Sequence, residues 1–506
     1  MTHRATPIAG TIVVALGLTL FATAADQRQW GQAHSRNMVS AERDLPDTID
    51  PASGKGVLWS ADLGSETHTT PIVAGGRVYV GTNNESPRDP RHKGDRGVLL
   101  CLDEKDGHLL WQLVSPKLDA DPYLDWPKAG IVSSPTVDGD RLYVMTNRAE
   151  IVCLDVRGLA NGNDGPFKDE AKYLAPTNAA PVEPGPLDAD ILWVFDMVSQ
   201  AGIHPHDGAH CSVLLDGDLL YCNSCNGVDN THRKIRKPDA PSLVVLDKRT
   251  GRMVAKDAEH IGPRVFHSTW SSPAMGPVNG KPQVIFGGGD GVVYGFEPVA
   301  GAGDGGGRAD VAALKRVWRF DIDPAGPKEN VHKYTTNRRE GPCNILAMPV
   351  LHEGRVYVGG GGDLWWGKRQ GYFKCIDATK VGDVTGTGEI WSYPLKGQTY
   401  AVPAIHEGMV FLTDCGGTIY CLDAATGKAH WTHKADGEIW GSVLVADGKA
   451  YVGTRRGEFL VFAAGREKKV LSDTYLDSGV SGTPTAANGV LYVATQRKVY
   501  ALKRGG

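Results

Sequence analysis

The stretch GGTIYCLDAATGKAHWT, residues 416–432, decides the fold. Two apolar runs flank a turn at residues 424–427, and the second run ends at Trp431. Short runs rich in β-branched and aromatic residues, bounded by Gly, Asp or Asn, are typical of strands joined by tight turns. Two more such runs, 402–405 and 409–412, lie directly upstream. The unit is therefore predicted to consist of four short strands.

The same unit begins again further along the chain, so the sequence contains a repeat. Pro403, Val443 and Pro484 hold equivalent positions, 40 and 41 residues apart. A period near 40 residues with four strands in each period is typical of a propeller blade. Equivalent first strands begin near residues 70, 134, 212, 272, 348, 402, 442 and 483. The predicted fold is all-β, an eight-bladed β-propeller of four-stranded blades.

The predicted ring is closed by its N-terminal strand. The last repeat stops after three strands, whereas Val57, Leu58 and Trp59 form a fourth strand with no blade before it. If that strand completes the last blade, a Velcro-type closure, the ring has no free sheet edge. The propeller is predicted to span residues 57–506, after an extended lead-in at 26–56.

Residues 1–25 are predicted to be a secretory signal peptide. His3 and Arg4 precede an apolar run at 8–21 that is short for a membrane span, and small residues follow at 22–24. An uncleaved N-terminal anchor is the alternative. No Cys directly follows the apolar run, so we do not expect a lipoprotein. We expect a monomer in the periplasm or another extracytoplasmic space, without a transmembrane span after signal removal.

Composition limits the classes of partner. Glycine accounts for 64 of the 506 residues, above the usual share of about 7%, which suits many turns between short strands. The net charge is −4 and the pI is about 6.5. Such a chain has no overall attraction for nucleic acid, so we expect none as a partner. A small molecule, a polysaccharide or another protein remain as partner classes.

Several conspicuous residues are predicted to be packing residues. A Trp recurs at the fourth strand, where a large aromatic side chain is buried between neighbouring blades. Four of the nine cysteines occupy one slot of the third strand and behave as small apolar residues: Cys101, Cys153, Cys375 and Cys421. Three others, Cys211, Cys222 and Cys225, are close enough in sequence to include one disulfide.

The repeat resembles the quinoprotein-type, PQQ-binding-like propeller repeat. Its consensus, close to A-x-D-x-x-T-G-x-x-x-W, is matched by residues 421–431, with degenerate copies at 101–111 and 245–254. The resemblance covers residues 57–502. Longer stretches at 226–232 and 361–368 resemble a family of exported bacterial proteins named only for the repeat. Because the repeat builds blades, the resemblance implies a fold and not an activity.

Long loops mark one face of the predicted propeller. Connections from the second to the third strand, and from one blade to the next, open on the same face. Their long versions fall in blades 1–5, at 82–97, 112–131, 197–211, 223–242, 255–271, 321–346 and 359–371. Two further insertions, 156–190 and 298–315, belong to the opposite face. Since function is usually carried by loops on a rigid scaffold, the first face is the predicted binding face.

Histidines and aromatic residues gather in these loops. Imidazole suits a transition metal, and His206 and His210 are the candidate metal ligands. Pro205 and Gly208 exclude a helix, so the spacing gives no ligand geometry, and hydrogen bonding to loop backbone is the alternative. The wider candidate binding face contains His204, Asp207, His232, His267, Trp270, Asp290, Arg338, Arg339, Asp363, Trp365 and Trp366. Its Trp residues either stack a planar ligand or cover the tops of the blades.

Three functions fit the sequence, and the first is a non-catalytic binding or scaffolding platform, with no assigned catalytic residue or cofactor. The second is a dehydrogenase of alcohols or sugars that uses PQQ and calcium, with Asp290 or Asp363 as base. Against it, the sequence has no Cys-Cys pair of the kind found in soluble alcohol dehydrogenases of that type. The third is a propeller like the subunit of the outer-membrane β-barrel assembly machine.

Overall fold

The computed structural model describes residues 25–118, 121–301 and 310–505, and these form a ring of eight antiparallel sheets. The predicted eight-bladed all-β propeller is therefore confirmed. Of the predicted signal peptide, residues 1–24 lie outside the described residues. In the described part of the chain, no helix is both long enough and apolar enough to span a bilayer.

Each blade has four strands, which follow one another from the ring axis outward. Blade 1 consists of Ile72–Ala74, Arg77–Asn83, Arg96–Asp103 and Leu109–Pro116; blade 2 of Thr136–Asp138, Arg141–Met145, Glu150–Asp155 and Ile191–Asp196. Blade 3 consists of Leu214–Asp216, Leu219–Asn223, Leu243–Asp247 and Met253–Lys256; blade 4 of Ala274–Val278, Lys281–Gly287, Val292–Phe296 and Arg316–Asp321. Blade 5 consists of Val350–His352, Arg355–Gly361, Gly371–Asp377 and Glu389–Leu395; blade 6 of Ala404–His406, Met409–Thr413, Thr418–Asp423 and Ala429–Lys434. Blade 7 consists of Leu444–Ala446, Lys449–Gly453, Glu458–Ala463 and Val470–Tyr475; blade 8 of Thr485–Ala487, Val490–Ala494, Lys498–Leu502 and Val57–Asp62.

Short elements extend three blades. Ala312–Ala313 and Gly382–Asp383 add parallel edge strands to blades 3 and 4, and Val39–Ser40 pairs with the inner strand of blade 7. The short helical segments are Gly158–Asn161, Glu170–Tyr173, Met197–Ala201, Gly262–Arg264 and Val331–Tyr334. The outer strand of blade 8 comes from the beginning of the propeller, because Val57–Asp62 pairs antiparallel with Lys498–Leu502.

The recurrent Trp residues join neighbouring blades. Indole Nε1 of Trp431 donates to the Gly465 carbonyl oxygen in the next blade at 2.9 Å. Four others donate to the carbonyl just after the third strand of the next blade: Trp59 to Glu104, Trp111 to Val156, Trp193 to Lys248 and Trp391 to Ala424. Trp318 instead bonds Gln283 within its own blade. The repeat's Trp is thus a buried side chain whose N–H is satisfied, as burial requires.

The same contacts explain the Thr-Gly turn of the repeat. Gly427 has φ +71°, and a Cβ there would lie 2.5 Å from the Trp391 ring. Gly107 and Gly251 lie equally close to Trp59 and Trp193. Glycine is therefore required both for the left-handed backbone and for the space beneath the turn.

A matched pair of glycines separates these two causes. Gly448 has φ +68°, but a Cβ at this position would have no atom within 4 Å. We expect Gly448→Ala to cost about 1 kcal/mol, from the left-handed backbone alone. Gly427→Ala should cost about 2 kcal/mol more, because the methyl group must displace an indole. Denaturant midpoints of the two variants measure the difference, and equal midpoints would contradict the packing explanation.

The cysteines are all buried and free. Cys101, Cys153, Cys375 and Cys421 lie in third strands, in the predicted packing slot. Cys211, Cys222 and Cys225 are buried side by side near Arg36 and form no disulfide.

The lead-in closes the ring axis on the side opposite the long loops. Between residues 25 and 42 it bonds the inner strand or its following turn in every blade. The partners, from blade 1 to blade 8, are Val73, Val137, Leu215, Met275, Leu351, Ile405, Val445 and Asn488. Most of these bonds join backbone to backbone, so they depend little on side-chain type. The segment predicted only as extended is thus a plug, which we call the axial plug (residues 25–42).

A buried arginine anchors the axial plug. Arg36 is fully buried, and its guanidinium donates to the Ser212 and Pro273 carbonyl oxygens at 2.9 and 3.0 Å. These residues precede the inner strands of blades 3 and 4. Burial lowers the pKa of Arg36 to about 10, so the side chain is still charged at neutral pH.

Candidate functional site

A cavity of about 520 Å³ lies on the axis, on the long-loop face of the ring. Residues that precede the inner strands form its walls, including Thr70, Ser134 and Gly441. Trp30 of the axial plug also lines it, and its Nε1 donates to Thr483 Oγ1 at 3.1 Å. The cavity is therefore a blind pocket with the plug behind it.

The twelve tryptophans divide into two equal groups. Six belong to outer strands: Trp59, Trp111, Trp193, Trp318, Trp391 and Trp431. The other six all line the axial cavity: Trp30, Trp126, Trp270, Trp365, Trp366 and Trp440. Trp126 and Trp365 are 45% and 44% exposed. Large aromatic side chains left open to solvent in a concave site are typical of ligand-binding surfaces.

Four polar side chains meet at one wall of this cavity. His206, Asp207, His232 and His267 each place one ligand-type atom within 4.8 Å of the others. Nε2 of His206 lies 3.0 Å from Nε2 of His232 and 3.5 Å from Asp207 Oδ1. Nε2 of His267 lies 3.2 Å from Asp207 Oδ2. We call this set the histidine cluster.

Three separate loops bring the histidine cluster together. Gly227 N donates to the His204 carbonyl oxygen and Val228 N to that of His267, so the middle loop joins the other two. A Cβ on Gly227 would lie 2.6 Å from the His206 Cβ and 2.9 Å from the His267 oxygen, so only glycine allows this approach. Asp207 and His232 both have positive φ, 58° and 56°. Such backbone in non-glycine residues is held in place only by surrounding contacts, and it is concentrated at functional sites.

A carboxylate and aromatic rings surround the histidine cluster. Asp363 is fully buried and accepts from His267 Nδ1 at 2.7 Å, which turns His267 Nε2 toward the cluster. The other Asp363 oxygen accepts from the backbone N–H of Trp365 and Trp366. Tyr123 stacks on His206, with ring centres 5.8 Å apart, and Trp366 lies 4.4 Å from His232. These rings pack against the imidazoles of His206 and His232.

Burial and charge set the protonation of the cluster. Burial lowers the pKa of His206 to about 3, and burial together with His267 lowers the pKa of His232. Burial alone would also lower the pKa of His267, but the carboxylates of Asp363 and Asp207 outweigh it and raise that pKa to about 9. His206 and His232 are thus neutral at pH 7 and offer lone pairs to an electrophile.

The structure separates the two metal ligands predicted from the sequence. His206 lies in the cluster, whereas His210 does not: its Nδ1 lies 3.2 Å from the Trp270 carbonyl oxygen, and its ring meets Trp30 edge-on. His204 is on the same loop as His206, but its side chain lines neither the cluster nor the cavity. The metal itself stays a prediction, and the geometry gives His206 the partners Asp207, His232 and His267.

Other predicted site residues lie away from the cavity. Asp290 is fully buried beneath the loops and accepts from Arg264 Nη2 and Tyr294 Oη, each at 2.8 Å. Burial raises the pKa of Asp290 although Arg264 opposes it. Arg338 donates to the Leu364 carbonyl oxygen and lines a neighbouring groove, whereas Arg339 is exposed.

Blades 6–8 and the plug contribute a part of the site that was not predicted from the sequence. Trp440 stacks with His68, and the guanidinium carbon of Arg455 lies 3.7 Å from the Trp440 ring centre. Tyr400 also lines the cavity. These residues sit on short connections, so no insertion marks them. A tryptophan outside the fourth-strand slot was the only signal that could have indicated them.

Comparison with known proteins agrees with this architecture. The family model described as outer membrane protein assembly factor BamB, a PQQ-like repeat model, matches residues 34–158 and 308–504. These ranges cover more than half of the 506 residues. The chain belongs to this family. The predicted PQQ-like repeat propeller is confirmed for this BamB-family chain.

Relatives of this BamB-family chain include an enzyme. A polyvinylalcohol dehydrogenase from Sphingopyxis sp. (strain 113P3) is 23% identical over 244 residues, which cover 46% of this chain and 30% of that protein. The chain thus spans less than a third of the length of that relative. A likeness this partial leaves the activity of the whole relative open for this chain.

Solved structures share the fold. BamB from Moraxella catarrhalis superposes with a TM-score of 0.54 at 13% identity, over 88% of this chain and 98% of that one. Quinohemoprotein alcohol dehydrogenase from Comamonas testosteroni gives 0.61 at 13% identity, over 95% and 81%. At this identity the likeness concerns the fold alone. The BamB-family ring therefore has the same fold as an assembly factor and a quinohemoprotein alcohol dehydrogenase.

Proposed function

We propose that the protein is an extracytoplasmic binding platform whose axial cavity holds one small ligand with a flat or ring-shaped face. The observation that carries the proposal is the convergence of six tryptophans on one cavity. Tryptophan rings that line one cavity can stack on the face of a sugar or a planar molecule. The site extends beyond the loops of blades 1–5, because Trp440 and Arg455 belong to it.

Titration with defined ring-containing probes tests this function. Oligosaccharides of glucose and of N-acetylglucosamine are each added to the purified protein, and tryptophan fluorescence and calorimetry are recorded. We expect one of them to saturate one site per chain. Loss of one stacking ring, in Trp365→Ala or Trp440→Ala, should weaken binding by about 1–2 kcal/mol, or about 5–30-fold.

Tyr475→Ala is the matched control for these variants. Tyr475 is 55% exposed on the outer strand of blade 7, outside the cavity. We expect its removal to leave ligand affinity unchanged. A protein that binds none of the probes, or that binds them equally well without Trp365 and Trp440, would contradict the proposal.

A quinone-dependent dehydrogenase is the second candidate, favoured by the match to a polyvinylalcohol dehydrogenase. PQQ is a planar tricarboxylate, and its partner calcium takes about six to eight oxygen ligands. The aromatic walls suit the ring. In the described residues, however, the charged lining is Arg455 against Glu66 and Asp207, and the nearby cluster is rich in imidazole. The residues therefore fit neither the tricarboxylate nor the calcium ion.

Dye reduction separates the two candidates. The protein is incubated with PQQ and calcium and supplied with polyvinyl alcohol or short secondary alcohols. We expect no turnover, and reduction above a boiled control would favour the second candidate.

A role in outer-membrane assembly rests on family membership alone.

A further inference from the structure

We propose that the histidine cluster binds one divalent transition-metal ion, through Nε2 of His206, His232 and His267 and a carboxylate oxygen of Asp207. Three imidazoles and one carboxylate are ligands that suit Zn²⁺, Co²⁺, Ni²⁺, Cu²⁺ and Fe²⁺ rather than calcium. The inference is independent of the ring ligand, because the ion would bind with the cavity otherwise empty.

Distances within the cluster match those of a metal site. Metal–ligand bonds of about 2.0–2.1 Å in tetrahedral geometry place neighbouring ligand atoms about 3.3 Å apart. Nε2 of His206 lies 3.0 Å from His232 Nε2 and 3.5 Å from Asp207 Oδ1, and Nε2 of His267 lies 3.2 Å from Asp207 Oδ2. All four side chains offer ligand atoms within 4.8 Å of one another. A single ion can therefore contact all four side chains with small rotamer adjustments.

Unsatisfied atoms give a second reason. Asp207 Oδ1 is buried without a hydrogen-bond partner. His206 and His232 direct ring nitrogens of the same type at each other, and at most one of the two can donate. Buried polar atoms almost always have partners, and an ion is one explanation for those that do not. One cation placed between them would give a partner to Nε2 of His206 and His232 and to Oδ1 of Asp207.

The surroundings of His267 resemble the second layer of a metal site. Metal-bound His residues commonly donate their other ring N–H to a carboxylate, which fixes the tautomer and the ring orientation. Asp363 does this for His267. The N–H groups of Trp365 and Trp366 hold Asp363 in turn, and Arg338 donates to the Leu364 carbonyl oxygen of the same loop. Asp363 is thus a positioning residue for the ligand His267.

Two other polar groups lack these properties. Asp89, His92 and Asp188 are also close together, but Arg91 forms ion pairs with both carboxylates and supplies the positive charge. Asp103, Asp106 and His108 lie in an exposed turn. Within the described residues, only the histidine cluster combines three imidazoles with an opening to a cavity.

Metal titration of the full protein tests the proposal. The purified protein is stripped with a chelator, dialysed, and titrated with Zn²⁺ by calorimetry and with Co²⁺ by visible absorption. We expect one ion per chain and the d–d bands of low-coordinate cobalt bound to nitrogen. A wild-type protein that binds no stoichiometric metal, or that gives only the spectrum of aqueous cobalt, would overturn the proposal.

Variants locate the ion. His232→Asn and His267→Asn should each weaken Zn²⁺ binding by at least about 100-fold. His204→Asn, on the same loop as His206 but outside the cluster, should leave affinity and stoichiometry unchanged. Asp363→Asn should weaken binding about 10–100-fold, because the amide favours the His267 tautomer with the proton on Nε2. Affinity that is equal in wild type and in His232→Asn would place the ion elsewhere and overturn the assignment.

Folding is followed separately by circular dichroism. If His232→Asn unfolds, the cobalt spectrum of the wild-type protein still decides between a nitrogen-rich site and none. Trp365→Ala provides the link to the ring ligand: it should lose ligand affinity while it keeps one Zn²⁺ per chain. Failure of the binding-platform proposal and failure of the metal proposal are therefore distinguishable.

Discussion

Replacing Asp363 by alanine is expected to lower the free energy of unfolding by about 3–5 kcal/mol, the cost of leaving buried charged or polar partners unpaired. Asp363 is fully buried and accepts from His267 Nδ1, Trp365 N and Trp366 N. Alanine would leave all three donors without a partner. It would also release the loop that carries two of the six cavity tryptophans.

Asp363→Asn is the control for this prediction. Its amide oxygen can still accept from the two backbone N–H groups, so only the charged contact with His267 is altered. We expect about a third of the loss seen with alanine. Denaturant unfolding followed by tryptophan fluorescence measures both variants. Equal stability of the alanine variant and the wild type would show that the loop does not depend on this carboxylate.

Arg36→Ala is the second change with a large expected effect, about 3 kcal/mol. The guanidinium is fully buried and bonds the Ser212 and Pro273 carbonyl oxygens and, at 3.3 Å, Ser212 Oγ. A hydrogen bond from a charged donor contributes about 1.5–3 kcal/mol to stability. Each buried carbonyl oxygen that loses its donor adds a further desolvation penalty. The alanine variant no longer incurs the desolvation penalty of burying the guanidinium charge, and this offsets part of the lost stability.

The axial plug should also become accessible in this variant. Limited proteolysis of Arg36→Ala is expected to cut within residues 25–42 under conditions in which the wild type stays intact. Arg28→Ala is the control, since the Arg28 side chain is 64% exposed and its charged partner, Asp26, is 3.8 Å away. A plug that resists proteolysis equally in both variants would mean that its backbone bonds suffice.

The ring could be predicted from sequence because each blade repeats the same local chemistry. The slot of Trp431 is marked by a turn glycine and an aromatic residue at fixed spacing, and both have their cause in the contact between neighbouring blades. The axial plug has no such mark. Its bonds run mainly from backbone to backbone, and an extended segment that pairs with eight different strands needs no repeating side-chain pattern.

The site was predictable only in part for a related reason. Long loops pointed to His206, His232 and His267, but nothing in their spacing shows that three loops meet at Gly227. His210 was as plausible a ligand as His232 by type and position. Trp440 and Arg455 lie on short connections, and their place at the axis follows from ring closure alone. Contacts between residues on different sides of the ring axis produce no recognisable pattern in the local sequence.

The axial plug has a consequence for the order of folding. Asn37 bonds Ile405, 368 residues away, and Trp30 bonds Thr483, 453 residues away. The axial plug therefore cannot complete its bonds until the inner strands of blades 6–8 exist. Contacts of such long sequence separation slow folding, and N-terminal segments are synthesised first. Residues 25–42 stay only partly paired until then, so the ring is sealed in a late step, and a chain released before residue 483 would lack the partner of Trp30.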